Sequence, residues 1–171
     1  MFNKNIKLII AGLIIAFGIY QFFENNIGNG IFLILLSSLP IFLYFKNELI
    51  LMAFLKLRKQ DMEGAKAWLD KIKNPETALV QKQQGYYNYL NGIMVSQTNL
   101  TLAEKYFKKA IELGLSMDQD LALAKLQLAG IAMTKRRKME ATNLLNEAKK
   151  LDKHNMLKDQ IKMMQQQMKK I

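Results

Sequence analysis

The stretch LAEKYFKKAIELGL, residues 102–115, decides the fold. Within it Ala103, Phe107 and Ala110 stand at i, i+4 and i+7, the spacing of one face of an amphipathic helix. The same triplet returns upstream as Ala65, Leu69 and Ile72, and downstream as Ala141, Leu145 and Ala148, at a period of 38 residues. That period is too long for one element. It describes a supersecondary unit stacked on copies of itself, an architecture that usually serves binding rather than catalysis. The alanine of each triplet lets two helices approach closely, and the bulky residue four positions on fills the gap to the neighbouring hairpin. Gly114 stands where a C-terminal cap would close the helix holding Phe107, and Pro75 stands where an earlier helix has ended.

The residues around these triplets resemble the tetratricopeptide repeat family. Residues 102–115 and KMEATNLLNEAKKLD, 138–152, look like its second helix, and YYNYLNGIMVSQTN, 86–99, and KLQLAGIAMTKRR, 125–137, look like its first. At the family's aromatic, Leu-Gly and Tyr positions this chain has Tyr87, Leu90, Asn91 and Met94 in one unit and Lys125, Leu128, Ala129 and Ala132 in the next. The first unit, with Leu49, Met52, Ala53 and Lys56 upstream of Ala65, matches least. The family period is about 34 residues, so each unit carries extra residues, expected as loops at KNPETA and GLSMDQD. A generic array of helical hairpins is the alternative. The resemblance covers about residues 48–152 and implies a groove lined by first-helix faces. Carried over residue by residue, these are Asn88, Gly92, Val95, Leu126, Gly130 and Met133 as the partner groove, and Ile50, Phe54 and Leu57 as a membrane-proximal apolar contact. Members that clamp an acidic carboxylate have lysine, arginine and asparagine there, and this chain departs from that at nearly every position.

Ahead of the repeats, LIIAGLIIAFGIYQFF (8–23) and GIFLILLSSLPIFLYF (30–45) carry no charge. Sixteen residues of helix rise about 24 Å, slightly short of a bilayer core, and flanking Ile6, Lys7 and Lys46 extend the reach. ENNIGNG between them is long enough only for a tight turn, so the two runs read as a transmembrane hairpin. A cleaved signal peptide is the rival, but no small-x-small site follows the first run. Lys4, Lys7, Lys46, Lys56, Arg58 and Lys59 flank the hairpin, whereas its turn has neither lysine nor arginine, which places both termini in the cytoplasm. Abundant isoleucine, lysine and asparagine point to a bacterial inner membrane. Pro40 is expected to kink the second span, with Ser37 and Ser38 bonding freed carbonyls, and Gly12 with Ala16 to pack inside the hairpin or between copies. Only Lys46, Asn47 and Glu48 separate the second span from LILMAFLKLRK, so no flexible linker intervenes.

The expected architecture is therefore all-α: a transmembrane helical hairpin (1–47), a tetratricopeptide-like solenoid of about three repeats (48–154) and a C-terminal amphipathic capping helix (155–171). In that last segment Leu157, Ile161, Met164, Met168 and Ile171 form one seam, which fits a cap or a methionine-rich docking face.

Residues 61–134 hold 8 Lys/Arg against 8 Asp/Glu, whereas residues 135–171 hold 11 against 4, a net +7 that opens with the basic patch Lys135, Arg136, Arg137 and Lys138. Anionic lipid head groups, RNA or an acidic protein all suit such a patch electrostatically, and a merely solvated face is the remaining reading. No aromatic follows Phe107, which argues against nucleic acid. With one histidine, His154, in a polar turn, no cysteine, no phosphate loop and no metal-ligand spacing, the sequence implies no catalytic residue, metal or cofactor. The functional expectation is a membrane-anchored adaptor for protein partners of a membrane complex. The alternative is an accessory subunit embedded permanently in one.

Overall fold

The computed structural model describes residues 4–45 and 47–169, and these are all-helical. Ten helices follow in order: α1 (Lys4–Phe23), α2 (Ile27–Phe45), α3 (Glu48–Arg58), α4 (Met62–Leu69), α5 (Pro75–Ala78), α6 (Gln81–Val95), α7 (Leu100–Leu113), α8 (Asp118–Thr134), α9 (Lys138–Leu151) and α10 (Lys158–Met168). Lys46 and Ile171 of the sequence reading lie outside the described residues, as does the side chain of Lys4. The chain divides into two compact units, Met1–Gln83 and Gln84–Ile171, with the boundary within α6.

In the first unit α1 packs along α2. The contact is made where side chains are smallest: Ala11 and Ser37 are buried, and a Cβ on Gly30 would meet the Phe22 ring at 2.9 Å and the Gly18 carbonyl at 3.1 Å. Almost everything else on the pair faces outward, including Leu13, Phe32 and Leu35, each more than 60 % exposed. Residues 5–23 and 27–44 are long and apolar enough to cross a membrane, with mean hydropathies of 2.1 and 1.9. Their low burial, 11 % of each, is unlike the core helix of a soluble protein.

Two expectations for the hairpin change. Gly12 and Ala16 do not pack inside it: nothing approaches a Cβ on Gly12 within 4 Å and Ala16 is exposed, because the face toward α2 is the one holding Ala11 and Gly18. Ser37 does donate to a carbonyl, that of Ile34 at 2.6 Å, but this is not Leu36, whose acceptor Pro40 leaves free. Helix α2 continues through Pro40 to Phe45.

The exit from the hairpin is tied down. The buried Asn47 caps α3, its Oδ1 accepting from the backbone N–H groups of Leu49 (2.9 Å) and Ile50 (3.4 Å). Lys7 of α1 donates to the Leu43 carbonyl at 3.1 Å and pairs with Glu48. Gln83, also buried, donates through Nε2 to the Tyr44 carbonyl at 2.7 Å while its Oε1 accepts from Val80 N–H. Hairpin and first helical pair thus form one unit.

The triplet positions are alike in burial, and two of the turns are alike in geometry. All nine triplet residues are buried, eight of them at 1 % exposure or less. The turn joining α3 to α4 puts Gln60 at φ 59°, with Gln60 N–H bonding Leu57 O and Asp61 N–H bonding Lys56 O. Two periods later Arg136 sits at φ 57°, with Arg136 N–H bonding Met133 O and Arg137 N–H bonding Ala132 O. The intervening turn differs: Thr98 and Asn99 both bond the Val95 carbonyl, and Asn99 caps α7 through Leu102 N–H. Gly114 ends α7 at φ 86°, a conformation glycine adopts without steric cost. The segment KNPETA is not wholly loop, since Pro75 occupies the first turn of α5.

In the second unit α8 and α9 pair, and α10 returns across both. The return is set by Asp152, whose carboxylate accepts from Met156 N–H (2.9 Å) and Leu157 N–H (2.8 Å). Leu157, Ile161 and Met168 of the apolar seam are then buried in one cluster with Leu126, Ala129, Met133 and Leu145, with Met164 at its edge.

Candidate interaction surface

The positions carried over as a partner groove are dispersed by the fold. Asn88 is buried and its Nδ2 donates to the Gln84 carbonyl of its own helix at 2.7 Å. Gly92 is the seat of the Phe107 ring, which a Cβ there would meet at 2.9 Å, and Tyr89 packs edge-on against the same ring at 6.0 Å. Val95 is half-buried at the turn into α7. Leu126 and Met133 belong to the cluster beneath α10, and a Cβ on Gly130 would lie 3.5 Å from the Met164 methyl. The chain's own last described helix therefore covers the α8 face that the resemblance implied as groove. What stays open is a concavity of about 620 Å³ lined by Leu100, Gly130, Met133, Thr134, Met164 and Gln167 among others.

The membrane-proximal trio is likewise only partly available. Ile50 is buried behind Asn47, and Phe54 and Leu57 are half-buried. The exposed apolar side chains of α3 are Leu51, Met52 and Leu55 instead.

The basic patch is split by an acid that the sequence reading passed over. Glu104 of α7 receives Arg137 through two bonds, Nη1 to Oε1 at 2.9 Å and Nη2 to Oε2 at 2.7 Å. Lys135 at 2.8 Å and Lys108 at 2.7 Å join it, and Glu140 engages Arg137 from the other side. Arg137 above all, with Lys108 and Lys135, holds the Glu104 carboxyl far below the usual carboxylate range. Only Arg136 and Lys138 of the four patch residues remain directed to solvent. The one local signal for Glu104 was Lys108, four residues on along the same helix.

A second polar contact was also unforeseen. Tyr86 of α6 donates to the buried Asp120 of α8 at 2.5 Å. Burial, then this carboxylate, pushes the Tyr86 phenol up to about 12. Tyr89 is raised as well, again chiefly by burial. His154 is exposed in the turn after α9, beside Asp118 and Lys153, which pair at 2.6 Å. Among the described residues no group of three or more histidine or acidic side chains is placed to hold a metal.

No family model matches this chain. Comparison with curated proteins and with solved structures returns no match either.

Proposed function

We propose that this chain is a membrane-anchored adaptor in which α1 and α2 cross a bilayer as a hairpin and the following helical pairs present a protein-binding surface at the cytoplasmic face. The carrying observation is the junction at Asn47, where Lys7, Glu48, Tyr44 and Gln83 fix two strongly apolar helices to the first helical pair without an intervening tether. The recurrence of buried triplets and of the turn at Gln60 and Arg136 supports reading three tetratricopeptide-like repeats, with α10 as their cap. Lys4 and Lys7 in the first turns of α1 and Lys46, Lys56, Arg58 and Lys59 after α2, against no lysine or arginine in the turn after α1, support the cytoplasmic side, here of a bacterial inner membrane. The reading assigns no catalytic step.

The burial of Asn88, Gly92, Leu126 and Met133 favours a second reading, in which the chain is a fixed accessory subunit with no free peptide groove. Purification of the full chain from its native membrane in mild detergent, with mass spectrometry of what is retained, separates the two. Cytosolic proteins held substoichiometrically and lost on Gly130→Arg, which fills the open concavity, support the adaptor. Integral membrane proteins in fixed ratio, unaffected by that change, support the subunit. Extraction of the chain by alkaline carbonate would overturn both.

A further inference from the structure

We propose that the face formed by the start of α9 and the end of α10 docks on the headgroups of anionic lipids at a bilayer surface. Lys138, Lys162 and Lys169 line an open depression of about 420 Å³ together with Gln165, Gln166 and Met168. Arg136 joins Lys138 and Met168 around a smaller space that shares these two residues. Among the described residues no carboxylate pairs with any of these four cations, whereas Lys135 and Arg137, from the same run of sequence, are engaged by Glu104. The fold has thus sorted the basic run: two members are neutralised internally, and the other two are gathered with lysines of α10 and its C-terminal end, 24–33 residues away.

The surroundings are amphiphilic, which selects a lipid over other anions. The depression has the buried Met168 in its wall. Met139, 80 % exposed, and Met163, 54 % exposed, each follow a depression lysine in sequence. Exposed apolar side chains one residue along the helix from unpaired cations match a membrane interface, where ammonium groups meet phosphates and thioethers enter the acyl boundary. Inorganic phosphate would leave those methionines in water. Nucleic acid would find no aromatic platform, since none follows Phe107. This lipid contact is separate from the adaptor reading, because the residues involved are neither in the hairpin nor in the concavity at Gly130.

The test uses the full chain, which has no cysteine, so that Met163→Cys accepts a single environment-sensitive fluorophore. The labelled protein is reconstituted into vesicles of phosphatidylcholine alone or with one-third phosphatidylglycerol. Blue-shifted emission and quenching by nitroxide lipid are expected in the anionic vesicles only, and should be reversed by high salt. Replacing Lys138, Lys162 and Lys169 with glutamine should lower the ratio of docked to free face on the order of 100-fold. Lys149→Gln with Lys150→Gln, which removes two exposed charges of α9 outside the depression, should leave most of the quenching. Equal emission in both vesicle types would overturn the proposal, as would equal loss in the two lysine variants. So would a spectral change produced by glycerol phosphate or RNA without anionic lipid. Resistance to alkaline extraction reports hairpin insertion independently, so failure of the anchor and failure of the lipid face give different results.

Discussion

Arg137 grips Glu104 by two parallel hydrogen bonds across the α7 to α9 interval, and this pairing converts a basic run into a structural clamp. Its energetic content is set by exposure: the Glu104 side chain is 12 % exposed and that of Arg137 36 %. Glu104→Gln should therefore cost about 1–2 kcal/mol at neutral pH, measured by urea denaturation. The folded-state pKa of Glu104 lies below its ordinary value of 4.5, so the stabilisation is complete above that value and is lost as pH falls toward the folded pKa. The gap between wild type and Glu104→Gln should narrow progressively below pH 4.5. A gap that stays constant on acidification would show that the charge contributes nothing.

Tyr86 gives the opposite limb. Its phenol is raised from 10.0 to about 12, so the folded state favours the neutral form, and stability is lost as pH rises between those values. Tyr86→Phe removes this sensitivity along with the bond to Asp120. Thermal melts from pH 9 to 11 should fall more steeply for wild type than for the variant. Parallel slopes would refute the assignment.

Glycines at contact positions should tolerate a methyl group unequally. A Cβ on Gly85 would lie 2.4 Å from the Gly114 carbonyl oxygen, a backbone atom that cannot rotate away, so Gly85→Ala should destabilise by about 1–3 kcal/mol. Gly92→Ala, pressing on the movable Phe107 ring, should cost less. Melting temperatures of the two variants side by side check the order.

Within the hairpin, Gly30→Leu should force α1 and α2 apart, because the space is already held by Phe22 and the Gly18 carbonyl. Gly12→Leu, with nothing within 4 Å, should leave the hairpin intact. Cross-linking yield between paired cysteines placed on α1 and α2 reads this directly: a drop for Gly30→Leu alone is the expected result, and equal drops would contradict the packing.

Much of this architecture was legible in the sequence, and the parts that were not share a cause. The triplets at Ala65, Ala103 and Ala141 were readable because each lies on a helix with one apolar stripe and a charged opposite face, so period alone gives the buried side. Gly114 and the seam at Leu157, Ile161 and Met168 were readable for the same local reasons. Helix α8 offered no such guide. Its sequence, DQDLALAKLQLAGIAMT, is apolar nearly all round, and residues from Asp120 to Met133 are buried toward several directions at once. No stripe distinguishes a groove face from a packing face there, and the positions Leu126 and Met133 came out beneath α10. Glu104 and Asp120 escaped notice because their partners, Arg137 and Tyr86, are more than thirty residues distant, and pairing at that separation is decided by helix rotation rather than by composition.

The bonds that converge on Asn47 also set the mechanics of the molecule. A domain on a flexible linker samples a volume fixed by contour length. Here a single residue separates Phe45 from Asn47, and Gln83 and Lys7 hold the two sides of that step together. The attachment is a bracket rather than a leash: with α1 and α2 inserted in a bilayer as proposed, the region that α3 and α4 sweep would be governed by how those two helices lean, and its reach would be a property of membrane thickness.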